Sequence, residues 1–334
     1  MRKSVLIIFL MLPVTVFMLS CHVGTSGSWK NDHIDAVERN KIATLNDRLF
    51  KAITTDDIEG VKKLMFSGLV SILGKKTDTI VHAVSGLHAT SYSVLDEYYT
   101  KNSTTDIANN LLSSNGNAND YIVQYQALNK DMYLSMLVSR DLPVNFLIFA
   151  VYGKHDDAWK LNILYVGQYN IAGKTAPDYY NEALTEYTKG NIINAANLMG
   201  TASQLVNPAN NHFKYKTDAE MSNFYSKVLN EGNSKYQFPL TVKQVEKAPQ
   251  IFTIIPELIN QDGYKGVCPM VTYLTTINLK DTIALKKQNM ALQKVIGQVF
   301  KGIDQQKFII YRVTDLFPNG NHPDRYYKFL QKLE

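Results

Sequence analysis

"LNDRLFKAITTDDIEGVKKLM", residues 45–65, reads as two short amphipathic helices joined by a polar link. Leu45, Leu49, Ala52 and Ile53 fall on one face at helical spacing, and Ile58, Val61, Leu64 and Met65 form the next stripe. Between them Thr55 or Asp56 can cap the second helix, because a short oxygen-bearing side chain accepts from the free N–H groups of a first turn. The same periodicity covers residues 34–113. Ser91 or Ser93 would open a third helix carrying Val94, Leu95, Tyr98 and Tyr99. Residues 102–119, rich in Ser, Asn and Thr, read as a loop around a short helix.

Downstream the period changes. Tyr121–Leu128, Met132–Ser139, Leu142–Tyr152 and Trp159–Gly167 are aromatic and β-branched. In the last of them Trp159, Leu161, Ile163 and Tyr165 alternate with Lys160 and Asn162, the pattern of a half-buried strand. Gly153-Lys154-His155-Asp156-Asp157 is the expected hairpin turn. Helices first and antiparallel strands after them make an α+β order.

That order over roughly residues 40–172, with the helix quoted above, resembles the NTF2-like (cystatin-like) fold. The resemblance implies a curved antiparallel sheet wrapped on helices, a shape that often encloses an apolar pocket. Tyr125, Phe146, Trp159 and Tyr165 would line such a pocket, and the same four side chains would equally fill a solid core.

"PDYYNEALTEYTKGNIINAANLMGTASQLVNP", residues 177–208, resembles a tetratricopeptide repeat: Tyr179, Ala183, Tyr187, Gly190, Ala195, Met199 and Ala202 fall at or near its signature spacing, and Pro208 comes one residue late. An ordinary helical hairpin with chance spacing is the competing account. One repeat cannot bury its own face, so Asp218–Glu231 would supply a capping helix and the hairpin would dock on a neighbour. A linker follows, marked by Gly232, Asn233, Ser234, Pro239 and Pro249. Then comes a second α+β unit. Ile251–Ile255, Val267–Leu279 and Lys307–Thr314 read as strands, and Asp281-Thr282 caps a helix that runs to about Lys301. Pro318-Asn319-Gly320-Asn321 turns the chain, and Tyr326–Leu333 reads as a terminal helix.

The chain begins with Arg2 and Lys3, then an apolar run of about fifteen residues, Val5–Leu19, interrupted by Pro13. That is the pattern of a secretory signal rather than a permanent span. Met18-Leu19-Ser20-Cys21 closes it and resembles the lipobox of bacterial lipoproteins, with Met18 in place of the usual leucine. The resemblance implies that Cys21 becomes the mature N-terminus and carries the acyl chains that hold the protein to the membrane. With no Asp after Cys21, sorting by analogy favours the outer membrane. The division expected is signal peptide 1–20, flexible tether 21–33, NTF2-like unit 34–175, repeat-like helices 176–232, linker 233–249 and a C-terminal α+β unit 250–334.

The 334-residue chain carries 35 basic and 30 acidic side chains; loss of Arg2 and Lys3 with the signal leaves about +3. Without a dense basic block, binding to nucleic acid has no electrostatic support. Once Cys21 is acylated, Cys268 stands alone and no internal disulfide can form. Cys268 lies in a strand-like run, where a lone cysteine acts as a small apolar side chain rather than a nucleophile.

His155-Asp156-Asp157 groups possible metal ligands, but turn chemistry accounts for it. His82 and His88 are six apart, off the helical zinc spacing, and His322-Pro323-Asp324 follows an Asn-Gly turn. Asp78-Thr79-Ile80 and Asp281-Thr282-Ile283 resemble bacterial O-glycosylation sites, with helix-cap and turn chemistry as the plainer reading. There is no G-x-S-x-G, H-E-x-x-H, P-loop or G-x-G-x-x-G. No catalytic residue, metal ligand or cofactor is assigned. The expectation is a membrane-anchored envelope lipoprotein that binds a partner protein, the alternative a small-ligand or enzymatic pocket in the NTF2-like unit.

Overall fold

The computed structural model describes residues 26–112, 116–261, 263–317 and 325–333. The signal, Met18-Leu19-Ser20-Cys21, the turn at 318–321 and His322-Pro323-Asp324 lie outside the described residues. The chain is α+β, with open, largely antiparallel sheets.

After a short strand, β1 (Gly27–Lys30), come four helices: α1 (Ala36–Thr54), α2 (Ile58–Leu64), α3 (Ser67–Leu73) and α4 (Lys76–Ser85). Asp35 caps α1 by accepting from the N–H groups of Val37 and Glu38 at 3.0 and 3.3 Å. Ile42, Leu49, Phe50 and Ile53 form its buried stripe. The cap of α2 is Asp57, which accepts from Gly60 N–H at 2.8 Å, and not Thr55 or Asp56. Asp56 instead takes a left-handed φ of 59° and turns the chain between the helices.

The strand β2 (Tyr92–Lys101) follows the helices and leads into β3 (Ala108–Leu112), β4 (Tyr121–Gln126), β5 (Asp131–Ser139), β6 (Val144–His155) and β7 (Ala158–Ile171). The central sheet is antiparallel in the order β1-β2-β5-β6-β7. Asp156 and Asp157 alone form the β6–β7 turn, Asp156 at φ 53°, so Gly153–His155 belong to the strand. The first four helices cover one face, packing on Tyr133, Leu137, Ile148, Tyr152 and Leu161. The other face, with Met132, Leu134, Met136, Leu147, Phe149 and Val151, is covered by a second layer. β5 is therefore buried on both faces, which is why its sequence is an almost unbroken apolar run.

That second layer is a small sheet, β3-β4-β8 with β8 at Phe213–Tyr215, and three helices, α5 (Ala176–Thr188), α6 (Ile192–Leu205) and α7 (Asp218–Lys235). Thr175 N–H donates to the Asp178 carboxylate at 2.9 Å, closing the start of α5. Ala183, Ala195 and Ala202 are fully buried, so α5 and α6 approach closely. α7 runs on to Lys235, into the stretch expected to be a linker.

The C-terminal unit is a five-stranded sheet in the order β13-β12-β11-β10-β9, built from β9 (Leu240–Thr241), β10 (Gln250–Gln261), β11 (Tyr264–Leu274), β12 (Phe308–Thr314) and β13 (Tyr327–Lys332). The α8 helix (Thr282–Val299) carries the chain from β11 to its parallel neighbour β12, and the other pairings are antiparallel. Asp281 accepts from Ala284 N–H at 3.0 Å, as the sequence suggests. Asp281→Ala is expected to cost about 1 kcal/mol, read as a lower urea midpoint with an unchanged slope.

Four expectations change. Residues 92–101 form β2, not a helix. A bulge between Val94 and Asp96 inserts one residue, leaving Val94-Leu95 and Tyr98-Tyr99 as apolar pairs four apart, the spacing of a helix stripe. In the strand, Tyr98 and Tyr99 divide between the two covered faces. Among the described residues of 102–119 the loop holds strand β3 and no helix. Residues 27–33, expected in the tether, form β1 and one 3-10 turn. Residues 327–332 form edge strand β13 rather than a helix, with Tyr327 and Phe329 turned toward α8.

Candidate functional site

The four aromatic residues expected to line one pocket are split by the sheet. Phe146 and Trp159 pack in the helix-side core, whereas Tyr125 and Tyr165 pack in the core on the opposite face. Trp159 donates from its indole nitrogen to Glu38 at 2.9 Å, and Tyr165 lies against His212 with ring centroids 5.0 Å apart. Tyr125 donates to the Asn102 side chain at 3.2 Å beside a polar surface hollow. They share no cavity: Tyr125 lies on β4 in the small sheet, and a bulge that inserts Asn162 into β7 turns Trp159 and Tyr165, six residues apart, to opposite covered faces.

Polar groups gather instead where α1 crosses β2. Beyond the bulge, Asp96 points into the second layer and Glu97 toward α1, and both are buried. Arg39 bridges two carboxylates, its Nε donating to Glu97 and its Nη1 to Asp32, each at 2.6 Å. Asp32, and after it Glu97, hold the guanidinium more firmly protonated than usual. Asn31, at φ 49°, donates to Asp96 at 2.8 Å and accepts from Glu97 N–H at 2.9 Å. Lys30 pairs with Asp96 at 3.1 Å, and the buried Tyr121 hydroxyl donates to the same carboxylate. Burial, reinforced by Tyr98 and Asp96, pushes the Tyr121 hydroxyl far above its usual range.

Outside this network lies a cleft of about 530 Å³ lined by Asn31, Arg39, Asn40, Asn46, Tyr92 and Glu97. Asn46 forms its floor, donating to Ser135 and accepting from Tyr152, both at 3.0 Å. The cleft offers hydrogen bonds to a small polar solute. Its charged groups are already committed to one another, and its lining holds neither a cysteine nor a histidine.

The remaining candidates lie apart. His155 stacks on Phe66 at 5.0 Å and meets Asn162 at 2.9 Å. His82 pairs with Asp56 on the surface at 2.7 Å, and His88 sits in a turn at φ 57°. Asp78 lies within α4, paired with Lys62 at 3.2 Å. Among the described residues no three His, Cys, Asp or Glu side chains converge as metal ligands, and no helix is long and apolar enough to cross a membrane.

Cys268 is buried on β11. Burial, helped by the Glu257 charge, pushes its thiol from an ordinary 9.0 up to about 12. The unfolded chain ionises this thiol near pH 9.0 while the folded chain keeps it protonated to about 12. Its contribution to stability is therefore complete below 9.0 and falls as pH rises through that window. Urea midpoints at pH 8 and pH 10.5 should differ more in the native chain than in Cys268→Val; equal differences would place the pH sensitivity elsewhere.

Sequence reasoning missed Asp96, Glu97 and Arg39 because residues 92–101 looked helical. The usable signal was an Asp-Glu pair set inside a run of Tyr, Val and Thr, the composition of a strand. No protein-family model matches the chain, nor does any curated protein or solved structure.

Proposed function

We propose that the chain is an envelope lipoprotein, held by acyl chains on Cys21 at the outer membrane, that acts without catalysis as a protein-interaction module. In this reading residues 34–175 are an NTF2-like unit whose pocket has been filled, and α5 with α6 is a tetratricopeptide-like hairpin docked on it. The lipobox-like Met18-Leu19-Ser20-Cys21 supports the anchor, since two or three acyl chains hold where one does not. The observation that carries the interaction role is where apolar surface is left over. Both faces of the central sheet are covered, yet Ile283, Met290 and Tyr327 stay exposed around one hollow between α8 and β13. Large apolar side chains grouped in the open mark a contact surface more often than a chance exposure.

The test is a mild-detergent pull-down of tagged full-length protein from its own membranes, beside Cys21→Ala. A partner recovered near one-to-one, and depleted by Cys21→Ala, is the expected result. Unchanged mass and membrane attachment in Cys21→Ala would overturn the anchor. The α1–β2 cleft favours a second reading, a small polar ligand, and a small molecule retained in an eluate without a protein partner would support it.

A further inference from the structure

We propose that the outer edge of β13 and the groove between β13 and α8 bind an extended, acidic and apolar segment of a partner protein, which adds as a sixth strand to the C-terminal sheet. The proposal rests on the interaction reading above and names its site.

Among the described strands β13 is an edge: its one neighbour there is β12. Leu333 N–H donates inward to Lys307 O at 3.0 Å. Backbone groups alternate along a strand, so the N–H groups of Lys328, Leu330 and Lys332 point outward, a ready template for another strand. Beside this edge lies a hollow of about 490 Å³ lined by Ile283, Lys286, Lys287, Met290, Tyr327 and Phe329. Ile283 is 84% exposed, Met290 51% and Tyr327 39%, so its apolar floor is open to a ligand. An added strand would lay every second side chain on this floor and the others beside Lys328 and Lys332.

Charge decides the occupant. α8 and β13 together carry Lys286, Lys287, Lys294, Lys328 and Lys332 and no carboxylate of their own; Glu246 and Glu257 meet Lys287 and Lys328 at 3.7 and 3.2 Å, which leaves the two elements net positive. A second copy pairing edge to edge would set lysines against lysines, which cross-strand neighbours resist. An acidic strand removes that repulsion and offers the complementary backbone. A lipid surface would use the apolar side chains and lysines of α8 but not the regular spacing of the outward N–H groups of β13, which matches the carbonyls of a strand.

The probe is a dye-labelled, end-blocked peptide of eight alternating Glu and Val residues, titrated into detergent-solubilised full-length protein and read by anisotropy. Saturable binding that weakens with salt is expected, with none for the Lys-Val counterpart. Lys286→Glu with Lys287→Glu should weaken binding about tenfold, and Ile283→Asp should weaken it without moving the melting temperature. Leu330→Pro, which removes one outward N–H on an edge where proline is tolerated, should abolish binding. Should that variant fail to fold, a Glu-Val peptide N-methylated at alternate residues tests the same hydrogen bonds with the protein unaltered, and it should not bind.

No saturable Glu-Val binding, equal binding of the Lys-Val peptide, or undiminished binding of the methylated peptide overturns the proposal. Capture by anionic phosphatidylglycerol vesicles in place of the peptide, surviving Cys21→Ala, overturns it in favour of a lipid surface. The two readings fail separately. Groove binding without any partner in the pull-down would sink the interaction role in the envelope and leave the groove. A partner recovered equally with Ile283→Asp would sink the groove and leave the role.

Discussion

Asp96→Ala is expected to lower folding stability by about 3–5 kcal/mol, the largest loss from any single polar side chain here. Asp96 is 4% exposed and accepts from Lys30, Asn31 and the Tyr121 hydroxyl. Removing the carboxylate takes one acceptor from the buried Tyr121 hydroxyl and releases the Lys30 and Asn31 side chains at once. A buried donor without its acceptor costs the desolvation it once recovered. Asp96→Asn, which keeps the shape and one acceptor oxygen, should cost less than Asp96→Ala. Urea unfolding of the three proteins measures this, and hydrogen exchange across residues 27–30 reports whether β1 has come free. A loss below about 1 kcal/mol would mean that water reaches the carboxylate and that the cluster holds nothing. Through Lys30 and Asn31, Asp96 ties β1 and the turn after it to the body of the protein.

Gly302→Val should separate the C-terminal unit from the rest of the chain. Gly302 sits at φ 81°, where a β-branched residue is strained, and a β-carbon there would collide with the Asn191 amide. Its carbonyl accepts from the Asn194 side chain at 2.8 Å, and the neighbouring Lys301 ammonium donates to Lys189 O at 2.6 Å. These contacts fix the start of α6 to the turn after α8, next to Ile193, which belongs to the C-terminal core. The expected cost is about 2–4 kcal/mol, concentrated at the junction. Calorimetry should show the C-terminal unit melting as an earlier, separate transition, with new proteolytic cuts at residues 236–249. A single transition, merely shifted, would show that the units do not depend on this junction for their coupling.

Much of the architecture is legible in the sequence wherever the signal is local. Leu49, Ala52 and Ile53 on the buried side of α1 and the cap at Asp281 follow from hydrogen bonds made within a few residues. β5 and β6 are legible because burial on both faces writes apolar residues at nearly every position. β2 and β13 were not. A bulge gave β2 a helix-like spacing, and β13 is a short lysine-bearing edge whose identity rests on pairing with β12. The candidate sites divide the same way. Tyr125, Phe146, Trp159 and Tyr165 announce burial, but the side each takes is set by the bulge in β7, by the second sheet that holds Tyr125 and by the layers above and below. The Asp96–Glu97 pair carried no sequence signal while its segment read as helix.

The sequence by itself determined the α+β class, the first two helices, the strands between residues 121 and 167, and the helix that joins β11 to β12. Only the tertiary structure decided that residues 27–30 are a strand, that the aromatic side chains split between two cores, that Arg39, Glu97 and Asp96 meet, and that β13 leaves an open edge beside α8. The reason is the reach of the hydrogen bonds. A helix satisfies its backbone within four residues, so its sequence contains its own instructions. A strand is completed by a partner distant in the chain, and the sequence of one strand does not say which partner arrives or what lies beyond the sheet.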